Sequence, residues 1–153
     1  KAEHITIVDL IRNDLSTVAT NVVVTRFRYI EKIRTMHKDL LQVSSEIQGD
    51  LTDNGMDNLG DILLQLLPAG SVSGAPKRKT MEIIHEAESE ARGYYTGVMG
   101  LFDGEVLDSG VMIRFMERNA ETLYYRSGGG ITTQSTVETE YQETIDKVYV
   151  PLN

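Results

Sequence analysis

Two carboxylates and a lysine at helical spacing, a further acid near the start of the chain, an arginine and a run of glycines are the groups whose types could bind a cation or an anion. Glu140, Glu143 and Lys147 follow one another at three- and four-residue intervals, which puts them on one face of a helix. The two carboxylates are then close enough to share a cation, or Glu143 can simply pair with Lys147 on a solvated face. Glu3 stands at the other end of the chain in the first turn of a helical pattern, where the helix dipole favours an acid in any case. Arg114 closes the apolar run Val111-Met112-Ile113. A guanidinium fork there matches a carboxylate bidentately, although an arginine at a strand end also serves as plain surface charge. Gly128-Gly129-Gly130 follows another apolar run, and successive glycines are costly there unless a ligand or another backbone comes close.

The central loop is Leu67-Pro68-Ala69-Gly70-Ser71-Val72-Ser73-Gly74-Ala75-Pro76-Lys77. Its glycines permit positive φ and close approach, and Pro76 fits the first turn of a helix. First-turn amides together with Lys77, Arg78 and Lys79 suit an anion, and a carboxylate-bearing ligand is the natural candidate. Ser71 supplies a hydroxyl that either contacts such a ligand or satisfies the turn itself.

The elements that must position these groups follow from periodicity. Ile5, Val8, Ile11 (or Arg12) and Leu15 predict a helix over 2–15. Asp9, Arg12 and Asp14 are charges within that pattern, so each must be paired or exposed. Residues 22–34 and 38–51 read as strands, rich in Val, Ile, Phe and Tyr. After a polar loop, Asp57 caps a short helix over 58–67 with Leu59, Ile62, Leu63 and Leu66 on its apolar side. A longer helix runs from Pro76 to about Ala91. Asp103-Gly104 is a hairpin turn signal between Val98–Phe102 and Glu105–Ile113. Another strand is expected over Leu123–Ser127, and a closing helix over Val137–Val148 with Tyr141, Ile145 and Val148 packed inward.

Composition bounds the rest. At 153 residues with 41% hydrophobic content, one domain over 1–153 with a sizeable core is expected. A net charge of −8 argues against nucleic acid or an anionic membrane as partner. No run approaches the roughly 18 apolar residues of a membrane span. With no cysteine, any metal here is a hard cation held by oxygen, and a cytoplasmic location fits. The chain starts at Lys1-Ala2-Glu3-His4 inside a helical pattern without methionine, which reads as a fragment of a longer protein.

Several stretches together resemble the chorismate-utilising enzymes, the family of anthranilate synthase component I and aminodeoxychorismate synthase component I. The loop Pro68–Lys77 resembles that family's P-A-G-T-V-S-G-A-P-K, with Ser71 in the threonine position. Glu3 to Leu15 resembles its helix ending V-D-L-x-R-N-D-L. Arg92-Gly93-Tyr94-Tyr95-Thr96-Gly97-Val98-Met99-Gly100 resembles R-G-x-Y-x-G-x-x-G, and Ile113-Arg114 its I-R-T, with Phe115 replacing threonine. Gly128–Ile131 is similar to its glycine turn, and Glu140 to Lys147 to E-x-x-E-x-x-x-K. Leu40–Leu51 is similar to H-x-x-S-x-V-x-G-x-L, but Gln42 stands in the histidine position.

The resemblance implies an α+β fold, antiparallel sheets packed with helices, forming the C-terminal half of a chorismate-binding domain. It implies magnesium held by Glu3 and Glu143, with Glu140 in support. Chorismate is then bound by Gln42, Ser71, Tyr95, Arg114, Gly128, Gly129, Gly130 and Lys147. The family's general acid and a lysine nucleophile belong to motifs upstream of residue 1, so no catalytic residue is assigned here and the isolated 153 residues are expected to be inactive. Glutamine at position 42 hydrogen-bonds but cannot act as acid or base, and it tilts the reading toward amination of chorismate to 4-amino-4-deoxychorismate for 4-aminobenzoate and folate synthesis. Ammonia then comes from a glutaminase partner. The alternatives are anthranilate synthase component I and, in a different class, a non-catalytic chorismate-binding module. Strands left without partners would be exposed edges, through which the fragment could associate with a second copy.

Overall fold

The computed structural model describes residues 2–33, 39–52, 55 and 57–148. It comprises two compact units, residues 1–90 and 91–153. In the first, α1 (Ala2–Leu15) leads into β1 (Ala19–Ile33) and β2 (Leu40–Leu51), followed by α2 (Leu59–Leu66), α3 (Gly70–Ser73) and α4 (Lys77–Ala87). In the second, β3 (Val98–Phe102) pairs with β4 (Leu107–Val111), β5 (Phe115–Asn119) pairs with β6 (Thr122–Arg126), and α5 (Val137–Asp146) follows. All three ladders are antiparallel and two-stranded, which with the helices gives the expected α+β composition.

The first unit is organised around the long β1–β2 hairpin. Of its three register shifts, two fall where the backbone turns to positive φ, at Asn21 and at Arg28. Each shift leaves backbone groups off the ladder. At the last of them, the Arg28 amide donates to Ser45 Oγ at 3.0 Å, and the same hydroxyl meets His4 Nε2 of α1 at 2.8 Å. The His4 ring stands edge-on to Phe27, with centroids 6.1 Å apart. One serine therefore both satisfies the bulge and ties α1 to the hairpin. Among the described residues, Val8 of α1 and Ala19 of β1 are the buried hydrophobic side chains. Much of the apolar surface of β1 and β2 is exposed, including Phe27, Ile30 and Leu41. The charges within α1 resolve as the sequence requires: Arg12 donates to Asp9 on the surface, and Asp14 pairs with Lys77.

Several boundaries differ from the sequence reading, each for a physical reason. The central loop contains one helical turn, α3, closed by Gly74 at φ 65°. Asn58, not Asp57, occupies the N-cap of α2, and no side chain caps it. Helix α4 stops at Ala87 instead of Ala91. The residues beyond that end include Glu88 and Glu90, and acids are unfavourable at the negative end of a helix. Strand β5 has no counterpart among the expected elements, because Glu117-Arg118-Asn119 reads as polar loop. Its stability comes across the ladder, where Arg126 Nε donates to Glu117 at 2.8 Å. Helix α5 ends at Asp146, and Tyr141, Ile145 and Val148 are exposed, not packed inward.

The β3–β4 turn is also longer than two residues, since Phe102 pairs with Leu107. Asp103 builds it by accepting the Val106 amide at 2.8 Å and the Glu105 amide at 2.9 Å, while its own amide donates to the Val106 carbonyl at 3.2 Å. Gly104 takes φ 103°. The Val106 amide, then that of Glu105, holds the Asp103 carboxyl below the ordinary aspartate range. A depressed folded value means that the turn is stabilised above the unfolded value, and that this contribution is lost as pH falls through the folded one. The Glu105 and Val106 amide signals should therefore shift with a midpoint below that of an unstructured aspartate. A midpoint equal to the unstructured one would contradict the bonding.

Candidate functional site

The groups singled out for chemistry divide between the two units. Glu3, Gln42 and Ser71 belong to the first; Tyr95, Arg114, Gly128, Gly129, Gly130, Glu140, Glu143 and Lys147 belong to the second.

In the first unit, Ser71 sits exposed on α3 between two anchored neighbours, Gly70 and Ser73, which are both buried. Ser73 Oγ donates to the Ala69 carbonyl at 3.2 Å. The cations expected to make an anion site at the start of α4 are instead turned to carboxylates. Lys77 Nζ lies 2.9 Å from Asp14, Arg78 lies 3.4 Å from Glu82, and Lys79 lies 3.2 Å from the same Glu82. Lys77 is thus a structural cation in this arrangement. Gln42 lies on β2 opposite Glu31, exposed, with its amide 3.3 Å from Ser44 Oγ. Glu3 is exposed in the first turn of α1. A polar hollow between the end of α1 and the start of α2, lined by Thr17, Thr52, Asn58, Asp61 and Gln65, contains none of these candidates.

In the second unit, the glycine run meets the tyrosine that the sequence marked. A Cβ on Gly128 would fall 1.9 Å from the Tyr95 hydroxyl oxygen. Only glycine lets Tyr95 reach that position. A Cβ on Gly129 would lie 3.4 Å from a Glu140 carboxylate oxygen, and nothing lies within 4 Å of that position on Gly130. The close approach expected at these glycines is therefore made at Gly128 by a side chain of the same unit, whereas Gly130 faces open space. Arg92, which the sequence reading did not select, lies over the Tyr95 ring at 5.6 Å and donates to Thr96 Oγ1 at 3.2 Å. Its presence in the same R-G-x-Y stretch as Tyr95 was the available signal. The structure so gathers Arg92, Tyr95, Gly128, Gly129 and Glu140.

The remaining candidates of this unit stand apart from that group. Arg114 is exposed in the bend between β4 and β5 and has no hydrogen bond or ion pair among the described residues. A guanidinium so placed is available to an incoming carboxylate. Lys147 Nζ pairs with Glu143, the local alternative that the helical spacing allowed. Glu143 and Glu140 lie one turn apart on α5, whose N-cap Thr136 accepts from the Thr139 amide. Among the described residues no three His, Cys, Asp or Glu side chains converge as a metal cage. Glu140 and Glu143 offer carboxylate oxygens, the donor type of hard cations, and Glu143 is engaged here by Lys147.

A family model described as chorismate binding enzyme matches residues 1–153. The chain belongs to the chorismate binding enzyme family. It is 63% identical over 152 residues to a protein of Pasteurella multocida named PabA-like, covering 99% of this chain and 47% of that protein. It is 38% identical to aminodeoxychorismate synthase component 1 of Bacillus subtilis, covering 97% of this chain and 31% of that protein. It is 39% identical to an anthranilate synthase component 1 of Haloarcula marismortui, covering 96% of this chain and 29% of that protein. The chain thus spans less than half the length of these curated relatives. Membership supports an enzyme, and no described helix is long and apolar enough to cross a membrane.

The Tyr95–Gly128 contact generates a test. Gly128→Ala should destabilise residues 91–153 by about 1–3 kcal/mol through overpacking. Tyr95→Phe, which removes the clashing oxygen, should recover part of that loss in the double variant. Thermal denaturation of the four proteins measures the coupling, and simple additivity would refute the contact.

Proposed function

We propose that the two units belong to one chorismate-binding domain of an aminodeoxychorismate synthase component I, which replaces the ring hydroxyl of chorismate with an amino group from ammonia. The observation that carries this choice over anthranilate synthase is Gln42. It stands in a strand position where the resembling family has histidine, and its amide hydrogen-bonds without titrating. Relatives bearing the two names are about equally similar to this chain, 38% and 39% identical, so the choice rests on Gln42.

Chorismate is a dianion whose hydroxyl must leave, so charge neutralisation and orientation dominate what these residues contribute. Arg114 would grip one carboxylate through its guanidinium fork, with the Gly130 backbone open to the same ligand. Tyr95 is held by Arg92 and Gly128, so its ring and hydroxyl are presented in one orientation. Ser71 and Gln42 would add hydrogen bonds from the first unit, and Lys147 would exchange Glu143 for a ligand carboxylate. Glu140 and Glu143 would offer carboxylates to magnesium, a role that the resemblance also gives to Glu3, and the ion would supply charge neutralisation at the other carboxylate. A glutaminase partner would supply the ammonia, in the cytoplasm. These 153 residues would hold the grip on the ligand without the nucleophile, and alone would not turn over. Free strand edges and exposed apolar side chains would let the isolated chain self-associate.

The reading is tested by steady-state kinetics of the full-length protein with chorismate and ammonia. Arg114→Ala should raise the chorismate KM by about ten- to a hundredfold, as loss of a charged hydrogen-bonding pair implies. Chelation of magnesium should abolish turnover, and its return should restore it. An unchanged KM in the Arg114 variant, or turnover indifferent to chelation, would remove the corresponding assignment.

A further inference from the structure

Ser71 can serve a ligand only if its loop is fixed, and the structure shows what fixes it. Lys77 Nζ lies 2.9 Å from Asp14 Oδ1, joining residues 63 apart in sequence, with side chains only 32% and 22% exposed. The other oxygen of the same carboxylate, Oδ2, lies 2.6 Å from where a Cβ on Gly70 would stand, and Leu10 Cβ lies 3.4 Å from that point. Glycine at 70 is what allows the loop to settle onto the end of α1. On the other side of Ser71, Ser73 is fully buried. The amides of Val72, Ser73 and Gly74 donate to the carbonyls of Ala69, Ala69 and Gly70 at 2.9, 3.0 and 2.9 Å. One carboxylate thus pins the loop at Gly70 through packing and at Lys77 through charge, and the exposed Ser71 hydroxyl lies between the two pins.

We infer that Asp14 and Lys77 are positioning residues whose ion pair locks the 68–76 loop on α1 and so presents Ser71 to the anionic ligand. The ligand half of this inference rests on the chorismate reading above; the lock itself does not. A side chain that contacts the ligand equally before and during reaction lowers KM without raising kcat, so loosening its loop should act on KM.

The experiment compares the full-length protein with Asp14→Asn, Lys77→Met and Lys77→Arg, by amide hydrogen exchange and by chorismate kinetics. In the first two variants the Val72, Ser73 and Gly74 amides should exchange about tenfold faster, with β1 and β2 unchanged. Their chorismate KM should rise about tenfold, the worth of one hydrogen bond to a charged group, with kcat nearly unchanged. Lys77→Arg should keep both properties close to the unaltered protein. Unchanged loop exchange would overturn the lock, and so would faster exchange spread evenly over residues 1–90. Faster loop exchange with an unchanged KM would overturn the positioning role. An unaltered protein that neither binds nor consumes chorismate would sink the functional reading and the role of Ser71 with it, while the exchange data would still decide the lock.

Discussion

The arrangement of the first unit depends on a partly buried carboxylate, Asp14, at the last turn of α1. Its charge is answered by Lys77 at 2.9 Å, and its bulk is accommodated because residue 70 has no side chain. Removing one member of such a pair leaves the other partly desolvated and uncompensated, which costs more than the pair itself contributes. That asymmetry keeps the start of α4 and the intervening loop seated on α1. At its other end α1 is fastened through His4 and Ser45, where a bulge in β1 has freed an amide to be satisfied. The helix is thus the beam between a bulged hairpin and the central loop.

The second unit reaches order by a different route. Two short hairpins are marginal alone, and large apolar residues on them and on α5 remain exposed, among them Leu101, Leu123 and Tyr141. Local polar devices therefore carry much of the specification: Asp103 folding its own turn, Glu117 reaching Arg126, and Thr136 capping α5. The Tyr95–Gly128 contact links the R-G-x-Y turn to the glycine run. Arg114 and Gly130 lie exposed in the same unit.

Much of this was legible in the sequence because the relevant signals are local. The α1 periodicity, both long strands and the closing helix were found where expected, and Asp9, Arg12 and Asp14, charges in an apolar pattern, each had to be paired or exposed. What was not legible depended on contacts distant in sequence. Lys77 looked like a ligand cation because Asp14, its partner, lies 63 residues away. The approach of Tyr95 to Gly128 was hidden in the same way, because nothing local in either stretch points to the other. Strand β5 was hidden because its charged residue is stabilised from the facing strand, and α4 was overextended because its apolar period continues past the point where acids oppose the helix dipole. The inward packing expected of Tyr141, Ile145 and Val148 failed because amphipathic spacing does not reveal what covers a face.

The proposed role of this chain is to grip the carboxylates of chorismate within an aminating enzyme. Chromatographic identification of the product formed by the full-length protein from chorismate, ammonia and magnesium tests it most directly. The account predicts 4-amino-4-deoxychorismate, converted to 4-aminobenzoate once a lyase is added. Anthranilate would contradict the weight placed on Gln42, and intact chorismate would contradict the assignment of an aminating enzyme altogether.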